Sequence, residues 1–215
     1  AGFPAPILLA IMIDELWSVK FKKVSQTILY LPHFLSWVII GGIMTQLFSS
    51  TGMVNTVIKS MGGGTVPFLS EKWHWLVVYT VIGVWQSAGW GTILYLAAIA
   101  GIDKQLYEAA DVDGAGRLSK IWHITLPGIK PTILILLILQ LGRIMAIGFD
   151  RPYILGNSLV MDFSDVISTY VYRIGLQAGN FSVGTAVGLF QSVVCVIFVV
   201  GANYITEKFG EQGIW

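Results

Sequence analysis

GIDKQLYEAADVDGAGRLSKIWHITLP, Gly101–Pro127, is the stretch on which the reading of this chain turns. It lies between two apolar runs, Trp73–Ala100 and Ile129–Phe149, each at least as long as the roughly 20 residues that a spanning helix needs. A polar segment so placed is a loop on one face of a membrane, and this one carries signals that a passive connection lacks. Asp103 is positioned to cap a helix over Lys104–Asp111, and Asp113 to cap a second after the turn at Gly114 and Gly116. Pro127 suits the start of the next membrane helix, where its missing N–H is no loss. The stretch therefore predicts a compact helix–turn–helix lying across the membrane face. Ala109 and Ala110 give it a smooth surface that a partner's groove can approach closely. Glu108 supplies an anion for a charge-assisted contact with a partner's arginine.

Working outward, Val24–Phe48 and Val183–Ile205 are also long enough to span, and all four runs are apolar nearly all round. Of the 215 residues, 55% are hydrophobic and 12% charged, half the charge of an ordinary soluble domain at about 25%. No alternation of the barrel type appears, so the expected fold is an all-α, polytopic transmembrane helical bundle. The chain opens Ala-Gly-Phe-Pro-Ala-Pro without Met, and its first apolar run, ending near Ile13, is too short to span. With no basic region ahead of it, that run does not read as a signal peptide. It reads as an incomplete first helix of an N-terminally truncated chain. The expectation is one transmembrane domain over 1–215, with helices near 1–16, 24–48, 73–100, 129–149 and 183–205 and the loop at 101–127.

Orientation follows from lysine and arginine. Lys20, Lys22, Lys23, Lys104, Arg117, Lys120, Lys130 and Lys208 fall on one side, and Lys59, Lys72, Arg151 and Arg173 on the other. Eight against four places the Gly101–Pro127 loop and the C-terminus in the cytoplasm, in a multi-pass protein of the cell membrane. Trp17, Trp73, Trp75 and Trp122 stand at the expected boundaries, as an interfacial aromatic belt would or as ordinary packing residues. On the outer side, Gly52–Met61 has the makings of a short interfacial helix ended by Gly62. Asp150–Ser182 is too long for a simple turn, has helical spacing over Asp165–Ile174, and suggests a cap on the pore.

Several chemistries find no candidates. There is no Gly-x-x-x-x-Gly-Lys-Ser/Thr phosphate loop, no His-Glu-x-x-His, no nucleophile elbow and a single cysteine, Cys195. No catalytic, metal or cofactor site is expected. With 13 basic against 12 acidic residues, the chain does not read as a nucleic-acid binder. Membrane lipid is the one partner that composition implies.

The spacing inside the loop carries a resemblance. Glu108-Ala109-Ala110, then Gly114 after three residues, then Ile124-x-Leu126-Pro127 after nine more, resembles the EAA loop of permeases in binding-protein-dependent ABC importers. Phe21-Lys22-Lys23, Tyr30-Leu31-Pro32, Tyr95-Leu96-Ala97-Ala98 and the terminal Trp215 are similar to the maltose-permease-type sugar subfamily, nearest its branch for complex oligosaccharides and uronate-type sugars. The resemblance implies a type I ABC importer permease fold. It implies three kinds of partner: a second homologous permease subunit, a cytoplasmic ABC ATPase dimer that uses the ATP, and an extracytoplasmic sugar-binding protein. It assigns ATPase coupling to Glu108, Ala109, Ala110, Asp111, Gly114, Leu126 and Pro127, and it implies that the helices flanking the loop line the translocation path.

Polar residues within spans are the remaining candidates, because burying them in lipid is costly without a use. Gln86 and Trp90 are i, i+4 in the run before the loop, and Gln140 and Arg143 are i, i+3 in the run after it. Amide and guanidinium donors with an aromatic face are what sugar recognition requires. Arg143 also has an ion pair with Asp150 or Asp14, or snorkelling to an interface, open to it. Tyr30, His33 and Ser36 surround Pro32, which reads as a kink. Gly184 and Gly188 read as helix packing. The competing class is a secondary carrier or a multi-pass transferase. A carrier would need intramembrane acids, and a transferase exposed carboxylates beside a metal or lipid phosphate. Neither feature is present in the sequence.

Overall fold

Helices form nearly all of the regular backbone, and among the described residues, 2–208 of the computed structural model, there is no strand. In chain order they are α1 (Pro4–Asp14), α2 (Val19–Tyr30), α3 (Trp37–Leu47), α4 (Met53–Ser60), α5 (Lys72–Ala100) and α6 (Lys104–Val112), followed by α7 (Arg117–Lys120), α8 (Leu126–Gly142), α9 (Asp150–Leu155), α10 (Met161–Ser164), α11 (Ile167–Tyr170) and α12 (Phe181–Lys208). A 3-10 turn, Leu31–Phe34, follows α2. Wider π-helical turns occupy Ile121–Thr125 and Val171–Gln177. Trp215 and the C-terminus lie outside the described residues.

Two uninterrupted helices are long and apolar enough to cross a bilayer, Arg117–Gly142 with a mean hydropathy of 1.8 and Phe181–Lys208 with 2.3. At about 1.5 Å per residue they outreach the roughly 30 Å hydrocarbon core. α5 is as long, at 29 residues, but Trp73, His74, Tyr79, Gln86 and Trp90 dilute its apolar character.

Two of the expected spans differ in the structure. Val24–Phe48 is not one helix: the first helical stretch ends at Phe34 after the 3-10 turn Leu31–Phe34, and a new helix starts at Trp37. Pro32 has no N–H to continue α2, and the Ser36 hydroxyl accepts from the Ile39 N–H at 3.4 Å to start α3. The span expected at Ile129–Phe149 is displaced towards the loop. Its helix runs on from Arg117, ends at Gly142, and leaves residues 143–149 outside regular helix. The π turn at Ile121–Thr125 lies where Pro127 would otherwise press its ring against the His123 carbonyl, and the wider turn relieves that clash. Trp75 is also not a belt residue: it is 3% exposed and donates its Nε1–H to the Leu155 carbonyl at 2.7 Å. Trp17, Trp73 and Trp122 remain exposed.

The chain divides into two compact units. The described parts of Ala1–Pro32, Ser87–Gly142 and Val196–Trp215 form one, around buried Ala10, Tyr95, Ile99 and Ile129. Ile102 and Leu126 pack on that cluster, so both ends of the polar loop are anchored in it. The second unit comprises His33–Gln86 and Arg143–Cys195, with Ile40, Val78 and Ile82 at its core. There Asn55, fully buried, holds the segment after α4: its Nδ2 donates to the Ser49 and Val66 carbonyls at 2.9 and 3.0 Å, and its Oδ1 accepts from the Val66 N–H at 2.8 Å.

Candidate functional site

The Gly101–Pro127 loop is built as two helices, α6 and α7, on a rigid turn. Asp103 caps α6, its carboxylate accepting from the Gln105 N–H at 2.9 Å. At the other end Gly114 takes a φ of +73°, the left-handed conformation that L side chains disfavour. That conformation turns the Ala115 N–H back to the Ala110 carbonyl at 2.8 Å and the Gly114 N–H to the Asp111 carbonyl at 3.1 Å. This pair of bonds is a Schellman motif, which satisfies the last carbonyls of α6. Asp113 does not cap the second helix as expected. It is the C-cap residue of α6, and Gly116 stands at the start of α7 with no side-chain cap. With Gly114 and Ala115 committed to the Schellman turn, the next helix begins three residues later than an Asp113 cap would place it.

Two side-chain contacts brace this turn. Lys120 Nζ donates to Asp111 Oδ1 at 2.7 Å, linking α7 back to α6. Tyr107 and Thr125 share a 2.9 Å hydroxyl–hydroxyl hydrogen bond that ties α6 to the π turn ahead of α8. The loop is therefore tied to the base of the Arg117–Gly142 helix by side-chain bonds as well as by the backbone. Its outer surface carries Glu108 and Ala109, both exposed, and Glu108 makes no ion pair among the described residues. Ala110 and Leu126 are half-buried, while Asp111, Gly114 and Pro127 are exposed. Sequence reasoning missed the exposed apolar residues of the two loop helices: Leu106, Val112 and Leu118 are 53%, 89% and 74% exposed. Large aliphatic side chains on a polar loop were the available signal.

The intramembrane candidates fare differently. Gln86, half-buried, and Trp90, exposed, share the uninterrupted helix α5, one turn apart. Gln140 is exposed on the last turn of α8. Arg143 does not share a helical face with it, because α8 ends at Gly142 and Arg143 begins an exposed turn, its carbonyl accepting from the Ala146 N–H at 2.9 Å. Gln191 fixes that turn by donating to the Met145 carbonyl at 2.8 Å. Arg143 forms no ion pair among the described residues, and Asp14 is taken by Lys22 at 2.7 Å.

A helical membrane protein with a braced polar loop at the base of a membrane helix is of the class of a transport component. The chain belongs to the family described as binding-protein-dependent transport system inner membrane component, whose profile matches residues 2–210. It has the helical permease fold, is a permease subunit of an ABC transport system, and is not an enzyme. It is 44% identical over 215 residues to the protein LplB of Bacillus subtilis (strain 168), covering 100% of this chain and 68% of that one. It is 46% identical over 214 residues to the polygalacturonan/rhamnogalacturonan transport system permease protein YteP of the same organism, covering 99% and 67%. Among solved structures it resembles a chain of a bacterial alginate ABC transporter in complex with an alginate pentasaccharide-bound periplasmic protein. That match has a TM-score of 0.95 at 43% identity and covers 99% of this chain and 74% of the other.

Proposed function

We propose that this chain forms half of the transmembrane path of an ATP-driven importer for oligosaccharides, working with a second permease, a cytoplasmic ATPase dimer and an external binding protein. The Gly101–Pro127 loop and the C-terminus face the cytoplasm, on the strength of the eight-to-four distribution of lysine and arginine. Energy enters through α6. Glu108 meets a cation of the ATPase, Ala109 and Ala110 allow close approach, and Leu106, Val112 and Leu118 supply the apolar area. Asp111, Gly114, Leu126 and Pro127 hold that surface rigidly to the membrane helix, so closure of the ATPase dimer tilts the helix. Gln86, Trp90, Gln140 and Arg143 are assigned to the sugar path, the last two as separate contacts.

The observation that carries this reading is an exposed acidic and apolar surface locked at both ends, by the Asp103 cap and by the Schellman turn at Gly114. Kinship with permeases named for oligosaccharides and polysaccharides supports the sugar. The test is Glu108→Lys in the complete transporter reconstituted in liposomes, with uptake of labelled oligosaccharide and ATP hydrolysis both measured. Losing a charge-assisted contact costs about 1.5–3 kcal/mol. Uptake is expected to collapse and to recover when the facing ATPase cation is changed to an acid. Unchanged uptake in the single variant refutes the assignment.

A further inference from the structure

The sequence places Arg151 among the outer basic residues, and the structure seats its side chain against α5. Its guanidinium abuts Gly83 of α5, and a Cβ at that glycine would collide with Nη1. Gly83 is the twelfth residue of the 29-residue helix α5. α9 is held beside it by its packing on α3, where Ile154 fills the space that a side chain on Gly41 would need. A half-buried cation among apolar and aromatic groups is costly unless it has a use.

Its surroundings are aromatic rather than acidic. The guanidinium carbon lies 3.9 Å from the Tyr79 ring centroid and 5.6 Å from that of Trp37, and Trp75 stacks on Tyr79 with centroids 4.7 Å apart. No carboxylate pairs with Arg151 among the described residues, and its N–H groups donate no hydrogen bond there. The Tyr79 hydroxyl is buried and likewise without a hydrogen-bond partner. Aromatic faces steady a guanidinium through cation–π attraction and leave its planar fork of donors unspent. That fork matches a carboxylate bidentately, the hydroxyl can add a further bond, and the indole offers a face to a sugar ring.

We propose that Arg151, with Tyr79 and Trp37, is a binding station for the carboxylate of an acidic sugar unit, which makes the transporter selective for uronate-bearing oligosaccharides. The inference rests on the oligosaccharide reading above and adds the charge of the substrate. The proximity of Gly83 is part of the site, because only a residue without a side chain lets the guanidinium reach that position.

The test uses the complete transporter in proteoliposomes and matched pairs of substrates: galacturonate and mannuronate trisaccharides, each beside its methyl ester, which removes the charge and keeps the sugar. Wild type is expected to take up the acids in preference to the esters. Arg151→Gln should cut the acid-to-ester uptake ratio by about tenfold or more, the loss of a charge-assisted hydrogen bond. Arg151→Lys should retain part of the ratio, and Gly83→Ala should lower it by displacing the guanidinium. Tyr79→Phe should lower it by a few-fold. If the Arg151→Gln complex does not assemble, the Gly83→Ala and Tyr79→Phe ratios decide the matter. A structural role for Arg151 would lower both substrates equally, and that result, or an unchanged ratio, overturns the proposal. Preference for the esters by wild type would also overturn it while leaving the oligosaccharide reading standing. Failure to carry any oligosaccharide would sink both.

Discussion

Replacing Gly114 with alanine isolates the turn that makes the coupling loop rigid. The residue sits at φ +73°, and a Cβ built there meets no atom within 4 Å, so no collision complicates the substitution. What remains is the cost of a left-handed L-residue, about 1–2 kcal/mol. Relaxing it would break the Ala115–Ala110 and Gly114–Asp111 bonds that close α6. That energy corresponds to a factor of about 5–30 in the population of the docking-competent loop. The affinity of the ATPase for the permease pair, measured in nanodiscs, should weaken by that factor, with uptake falling alongside. Gly116→Ala is the internal control, because Gly116 has φ −70° and ψ 164° and also faces open space. It should change affinity by less than about twofold, in line with ordinary surface substitutions. Gly114→Asn should fall between the two, since asparagine tolerates the left-handed region. Equal behaviour of Gly114→Ala and Gly116→Ala would refute the reasoning.

Three further outcomes follow from the same geometry. Asn55→Ala removes three hydrogen bonds from a fully buried site and strands backbone groups of Ser49 and Val66, so thermal unfolding of the purified complex should show a loss of about 2 kcal/mol or more. Tyr107→Phe deletes only the hydroxyl bond to Thr125, and a loss of about 0.5–1.5 kcal/mol should appear as reduced uptake per ATP hydrolysed, because α6 is then less firmly tied to its membrane helix. Asp111→Asn should weaken the bracing by at most about 1 kcal/mol, seen as a small fall in uptake at low salt that shrinks as salt screens the pair. Its pair with Lys120 is short, but the Asp111 side chain is 63% exposed, and such pairs contribute about 0–1 kcal/mol.

The sequence carries the coupling loop because that segment is determined locally. Asp103 as a cap and Gly114 as a turn act over a few residues, and the structure realises both, whereas Pro127 falls inside the continuous Arg117–Gly142 helix, just after its π turn. Asp113 failed as a cap for an equally local reason: the Schellman turn delays the next helix to Gly116. Span boundaries were less legible, because hydropathy does not distinguish an apolar helix from an apolar turn. Met145, Ala146 and Ile147 read as membrane residues, yet Gln191, 46 positions away, holds the Met145 carbonyl and fixes that segment as a turn. Arg151 was hidden for the same reason. Nothing near it in the chain reveals that α9 packs back against α3 and α5, and Gly83 is one of three glycines in the Trp73–Ala100 run, so it gave no indication by itself.

The central claim is that energy enters this chain through α6, and disulfide trapping across that contact tests it most directly. Cys195 is first replaced by serine, Ala109→Cys is introduced, and the complex is assembled with ATPases carrying single cysteines around their permease-facing groove. A crosslink that forms on oxidation, stops ATP-driven uptake and releases it on reduction is the predicted result. Efficient crosslinking with uptake undiminished, or no crosslink from Ala109→Cys in a complex that transports normally, would contradict the account.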